Sequence, residues 1–292
     1  MTRTERRLPR EISPTRGIRI AVLSMLLLNA VAAASASAQQ APSPSQPPAA
    51  VVSDQELSKS LHNPFEDFIK IPIQSTTGFQ VGRHHNAGDG VNIEPLLPFA
   101  LNSRWGLIAQ PSLTAIYQPS PHEQYGISDL QTSFFLTPTD ATKWIWGVGP
   151  IFELPTASSP QLGTGRWSIG PTGAVVYSNG PWVNGILVYQ LMSYAGERHR
   201  GSVNQSFFEP DISYNFESGW SVDCEPSITY DWTAKATNAW TLPIGADAGK
   251  VLKLGSQNLG AQIGAYDLLQ RPDGAPQWIV RVSVTFLFPT GR

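Results

Sequence analysis

Glu209 and Asp211, and again Asp223 and Glu225, stand one residue apart in stretches that alternate apolar with polar side chains. In an extended strand, side chains two apart share a face, so each pair projects both carboxylates the same way. Acids held that close raise one another's pKa or attract cations. Glu94, Asp129, Glu153, Asp231 and Asp247 fall on the same face by parity, together with Arg104, Arg166 and Arg281. A wetted passage tolerates such an acidic excess, whereas a dry interior requires a partner for every charge. The pattern fits a passage lining and equally a polar network that fills a narrow interior. The candidate lining residues are Glu94, Asp129, Glu153, Glu209, Asp211, Asp223, Glu225, Asp231 and Arg281.

Other reactive types are present without the spacing that chemistry needs. His62, His84, His85, His122 and His199 show no metal-ligand spacing, and His122-Glu123 lacks the second His of a zinc-protease helix. His84-His85 could hold a surface metal, but a solvated loop accounts for them more simply. No Gly-x-Ser-x-Gly elbow occurs, and Gly163-Thr164-Gly165 lacks the rest of a phosphate loop. Tyr189, Ser193 and His199 have no triad spacing. The single Cys224 cannot form an intrachain disulfide, and its parity points it away from the acids. No cofactor, metal or catalytic residue is expected.

The elements that carry the acids announce themselves through tryptophan. Trp105, Trp144, Trp182 and Trp220 recur at intervals of 39, 38 and 38 residues, each after a short polar turn and each opening an alternating stretch. A hairpin of two membrane-length strands has about that period. A membrane–water interface selects Trp at a fixed height, because the indole is apolar in body and polar at one edge. Twelve candidate strands follow, near 70–82, 90–100, 104–118, 125–137, 143–155, 165–178, 181–195, 203–216, 219–233, 239–253, 257–269 and 276–288. Ten or fourteen would also fit. Trp105, Trp144, Trp182 and Trp220 then mark one membrane interface, and Trp167, Trp232, Trp240 and Trp278 the other. The expected fold is all-β: a transmembrane, antiparallel, up-and-down barrel with a short N-terminal helical segment. Inward Gly147, Gly149, Gly170, Gly245 and Gly264 would leave room for a ligand, a bound segment or strand bending. Prolines 95, 111, 150, 171, 210, 226 and 243 fall inside strands, which requires bulges or bends.

Composition agrees. Charged residues are 14% of the chain, against roughly 25% in ordinary soluble proteins. No apolar run after the first 38 residues approaches the roughly 20 that a transmembrane helix needs. A net charge of -2 argues against nucleic acid as a partner. Residues 1–38 read as an export signal, with six arginines, an apolar core from Ile20 to Val31, and Ala36-Ser37-Ala38 before the cleavage point. An anchor helix is the alternative. Residues 39–52 read as a flexible linker. Residues 53–69 carry a helix cap, Ser53 to Glu56, and could plug the barrel mouth or tether the chain beneath it. Residues 70–292 form the barrel.

Several short motifs add a family likeness. These are Leu61-His62-Asn63-Pro64-Phe65 running to Ile73-Gln74, Trp144-Ile145-Trp146-Gly147-Val148-Gly149-Pro150, and Ile169-Gly170-Pro171-Thr172-Gly173. Val203-Asn204-Gln205, Tyr230-Asp231-Trp232 and Phe286-Leu287-Phe288-Pro289 extend the match from about Leu57 to Pro289. In these segments the chain resembles the outer-membrane protein family linked to the meta-pathway of phenol degradation, often labelled transporters. The resemblance implies a barrel akin to hydrocarbon and fatty-acid channels and brings no agreed catalytic residues. Phe286 and Phe288 also resemble the terminal signal read by barrel-assembly machinery, although Pro289-Thr290-Gly291-Arg292 follows here. The expected function is an outer-membrane channel passively admitting small, aromatic or apolar compounds, with membrane lipids, assembly machinery and the solute as partners. Two rivals are a non-conducting structural barrel and, with less support, a lipid-modifying enzyme.

Overall fold

The computed structural model describes residues 53–289, apart from 66–67, 83–84, 120–122, 141–142 and 256. The expected export signal and linker lie outside the described residues, as do His84 and His122. The chain is a closed antiparallel β-barrel of twelve staves with one helix on its N-terminal side. The staves are β1 (Phe68–Val81), β2 with β3 (Asn86–Ile93, Leu97–Ala100), β4 (Trp105–Gln118) and β5 with β6 (Gln124–Ile127, Leu130–Pro138). Next come β7 (Trp144–Leu154), β8 (Arg166–Asn179), β9 (Trp182–Gly196), β10 (Asn204–Asn215) and β11 with β12 (Trp220–Cys224, Ile228–Asp231). The last three are β13 (Trp240–Leu254), β14 (Gln257–Gln270) and β15 (Trp278–Pro289). β15 returns to β1, from Phe68↔Pro289 to Phe79↔Trp278, and closes the ring. All twelve expected strands are present. β1 begins at Phe68, so the helical segment is shorter than the expected 53–69.

The prolines explain how the wall tolerates them. Pro150 faces Pro171 directly across β7 and β8. The β2 and β3 pairings with β4 share one register, which sets Pro95, in the break, opposite Pro111. The same holds for Pro226 opposite Pro210, between β10 and the β11–β12 stave. Two residues without an N–H thus share one lapse in the ladder, instead of each breaking a separate one. Pro243 sits at a register shift against β14. The short turns at one end of the wall use Gly180 (φ 58°) and Gly219 (φ 78°), a left-handed conformation that costs glycine little.

Inside the ring lies α1 (Asp54–His62). Ser53 Oγ accepts from Glu56 N at 3.2 Å, Asp54 and Glu56 sit in the first turn, and Lys59 and His62 in the last, so cap and charges both follow the helix dipole. Asn63 ends the helix before Pro64, where an α conformation is disfavoured. Leu57 is 1% exposed and packs on Val251 and Leu287 of the inner wall, with Leu61 and Phe68 against them.

Candidate functional site

The lumen holds a cavity of about 430 Å³ bounded by the N-terminal segment and the inner wall. Its floor is apolar: Leu96, Ile108 and Phe135 form a cluster that Phe65, Ala174 and Leu187 complete. Phe65 meets Phe135 edge to face at 6.2 Å and lies where a side chain on Gly147 would be. The other surface is polar, with Gln74, Asn92, Gln110, Gln131 and Gln262 among its amides. Tyr189 and Phe207, neighbours on β9 and β10, stack at 4.5 Å and also face the cavity.

Of the expected lining residues, Glu94, Glu209, Asp211, Glu225 and Arg281 border this cavity. Glu94 accepts from Gln110 at 2.6 Å and Asn92 at 2.9 Å, and Ser227 donates to Glu209. Asp223 is buried two residue pairs along the ladder from Asp211, facing His62. Glu153 points inward but is held by Gln131 and Thr164, both at 2.9 Å. Two residues do other work. Asp129 ties the loop after β7, taking Thr164 N at 2.6 Å and Ala157 N at 2.9 Å. Asp231 caps the turn after β12, taking Thr233 N at 2.8 Å. Parity places a carboxylate on a face, and a nearby loop then claims it.

Arg281 is the hub of the polar side. It donates to Asp247, to Tyr266 Oη at 2.5 Å and to the Glu225 carbonyl at 3.1 Å, and its guanidinium lies 4.2 Å from the Tyr266 ring centre. Gly264 leaves the space that the Asp247 carboxylate fills. Gly149, Gly170 and Gly245 instead abut backbone carbonyls of neighbouring strands, so they serve close strand approach and leave no ligand space.

Two residues that the strand pattern did not single out organise the site. Lys70 of β1 is buried and donates to the Ser60 and Asn63 carbonyls, placing a cation on the C-terminal end of α1. His62 sits between two wall carboxylates, Nδ1 at 3.6 Å from Asp211 Oδ2 and Nε2 at 3.7 Å from Asp223 Oδ1. The start of the helix is tied as well. Asp54 pairs with Lys253 at 2.6 Å, which holds its carboxyl below the usual range, and Ser58 donates to Asn215 Oδ1 at 2.6 Å. Inward parity at position 70 was the available signal for Lys70. For His62 there was none, since its partners lie far along the chain.

The outer surface is the converse of the lumen. Val148, Ile186, Val188, Ile212, Val222, Ile244 and Ile263 are exposed around the middle of the wall. Trp144, Trp182 and Trp220 are exposed at the end with the short turns, where Trp105 is half-buried against Trp146 at 6.1 Å. Trp167, Trp232, Trp240 and Trp278 are exposed at the other end.

No protein-family model and no curated relative matches the chain. Solved structures do. An outer membrane channel from Pseudomonas putida F1 superposes with a TM-score of 0.58 at 15% identity, covering 77% of this chain and 97% of that one. The NanC porin gives 0.51 at 10% identity, covering 75% and 98%. Outer membrane phospholipase A from Escherichia coli gives 0.44 at 14% identity, covering 82% and 98%, a likeness too loose to argue from. At these identities the shared property is the fold alone, a closed antiparallel β-barrel.

Proposed function

We propose that this chain is an outer-membrane channel through which small solutes pass passively, with residues 53–65 as its plug. The observation that carries this reading is the inversion of the molecule: exposed aliphatic side chains around the outside, and carboxylates, amides and a cavity within. A bilayer rewards that arrangement and water does not. The exposed tryptophans at both ends fit the two membrane interfaces. The fold shared with the Pseudomonas putida channel and the NanC porin supports the same location and role. Export by residues 1–38 and recognition of β15 by assembly machinery complete the reading. Selectivity comes from the lumen width, the inward acids and the plug. The apolar floor and the Tyr189–Phe207 pair suit a solute with an aromatic or aliphatic part, as the likeness to the phenol-degradation family also implies.

Single-channel conductance in a planar bilayer tests this, comparing the refolded chain with a variant lacking residues 53–65. Conductance in both establishes a standing pore, and conductance only after deletion identifies the plug. Silence in both overturns an ion-conducting channel and favours a closed structural barrel.

A further inference from the structure

We infer that Asp211, Asp223 and Glu225 form a binding site for the ammonium head of an organic cation, and that His62 occupies this site in cis. The inference deepens the channel reading, since it takes the lumen as the solute's route.

The three acids lie together on adjacent staves. Asp223 pairs with Ser213 and Cys224 with Ile212, so the same register sets Glu225 opposite Asp211. The cations the wall supplies nearby are committed elsewhere: Arg281 to Asp247, Tyr266 and a backbone carbonyl, and Lys70 to the end of α1. What faces Asp211 and Asp223 is the imidazole of His62, whose side chain is only 6% exposed. It fits loosely. Both separations exceed hydrogen-bond length, and His62 Nε2 and Asp211 Oδ1 are buried without a hydrogen-bond partner. Buried polar atoms are rarely left so unless something else completes them.

The chemistry of the missing group follows. A buried carboxylate either takes up a proton or pairs with a cation, and a cationic head is the ligand that favours the ionised form of all three. No group of three or more His, Cys, Asp or Glu among the described residues has metal-holding geometry, and the apolar side chains that border the same cavity favour an organic cation over an inorganic one. A primary ammonium is compact and carries three donors that rotate onto whichever acceptors are open, whereas the imidazole presents two N–H groups at fixed positions. The cavity continues from Asp211 to Phe207, Tyr189, Leu187 and Phe65, which receive an aromatic or aliphatic tail. The ligand class is therefore an amphipathic amine. Its head competes with His62 for the same carboxylates, so binding loosens the end of α1 and couples solute recognition to the plug.

The test is calorimetric titration of benzylammonium chloride into the full chain refolded in detergent micelles at pH 7, with benzyl alcohol as the uncharged control. His62→Gln empties the site of its internal cation and is expected to bind the amine about tenfold more tightly than the parent, because the competent state is no longer masked. His62→Lys installs a permanent competitor and is expected to weaken binding by about the same factor. Asp211→Asn is expected to remove binding, and benzyl alcohol to show none in any variant. Equal affinities in the parent, His62→Gln and His62→Lys, or equal binding of amine and alcohol, overturn the site. Should His62→Gln not refold, the comparison of His62→Lys with the parent decides alone. A chain that conducts without binding the amine loses this site and keeps the channel reading. A chain that binds the amine without conducting does the reverse.

Discussion

His62 links the interior of the barrel to the pH outside it. Burial alone would drive the imidazole to its neutral form, but the negative charges of Asp211 and then Asp223 outweigh burial, with Lys70 opposing, and its pKa rises above the ordinary 6.5. A group whose folded pKa is raised adds stability that is complete below its unfolded pKa and disappears as pH climbs through the folded value. The urea midpoint of the parent is therefore expected to fall as pH is raised above 6.5, and that segment of the curve should flatten in His62→Gln. Parallel curves for the two proteins would mean the ring is not protonated in the native state. At this scale the sequence was partly legible. Alternation alone put Glu94, Glu209, Asp211 and Glu225 on the face that borders the cavity. Alternation carries no information about loops, so it could not foresee that Thr164 and Ala157 engage Asp129, or that Thr233 engages Asp231.

Among the elements, α1 and the wall are fitted to each other through glycine. A Cβ on Gly260 would lie 2.4 Å from Leu61 Cδ1, and one on Gly147 would lie 2.6 Å from Phe65, so both walls are cut back where the segment rests. Gly260→Val is expected to cost docking about 1–3 kcal/mol, because the crowded atoms belong to the segment and not to the wall. Its signature is more time in the conducting state in planar bilayers, with the folded gel mobility of the barrel retained. Gly170→Val should act oppositely: its Cβ would meet the Gln190 carbonyl of the next strand, so folding itself should suffer. An unchanged record for Gly260→Val would show that the segment does not gate conduction. The helix could be read from Ser53, Glu56 and the leucine spacing, since capping is local. Where it docks could not, because Asn215, Asp211 and Leu287 are distant in the chain.

As a whole molecule, the barrel is defined by which side of each strand meets which solvent. Ile263 is 59% exposed at the middle of β14, paired with Val282 and Ala248. Ile263→Arg is expected to make folding into lipid vesicles less favourable by about 2–4 kcal/mol, the cost of a basic residue at the bilayer midplane. No measurable loss would argue that this band does not face lipid. The closed ring was legible because tryptophan spacing, turn chemistry and period-two alternation all counted the same hairpins. The prolines looked like objections to it, since a sequence shows each one singly. Only the register reveals that Pro95 and Pro111, Pro150 and Pro171, and Pro210 and Pro226 stand opposite one another.

The anchors of α1 also set an order of events. Gln55 and Ser58 bond to Asn215, 160 and 157 positions onward, and Leu57 rests on Leu287 in β15. Such distant contacts reward the chain only after the intervening loop has been closed. Until β15 has zipped onto β1, the sheet is a trough whose far edge is not yet in place, and the helix has no bed to lie in. The segment that precedes every strand is thereby the last to settle, a seal set after the seam.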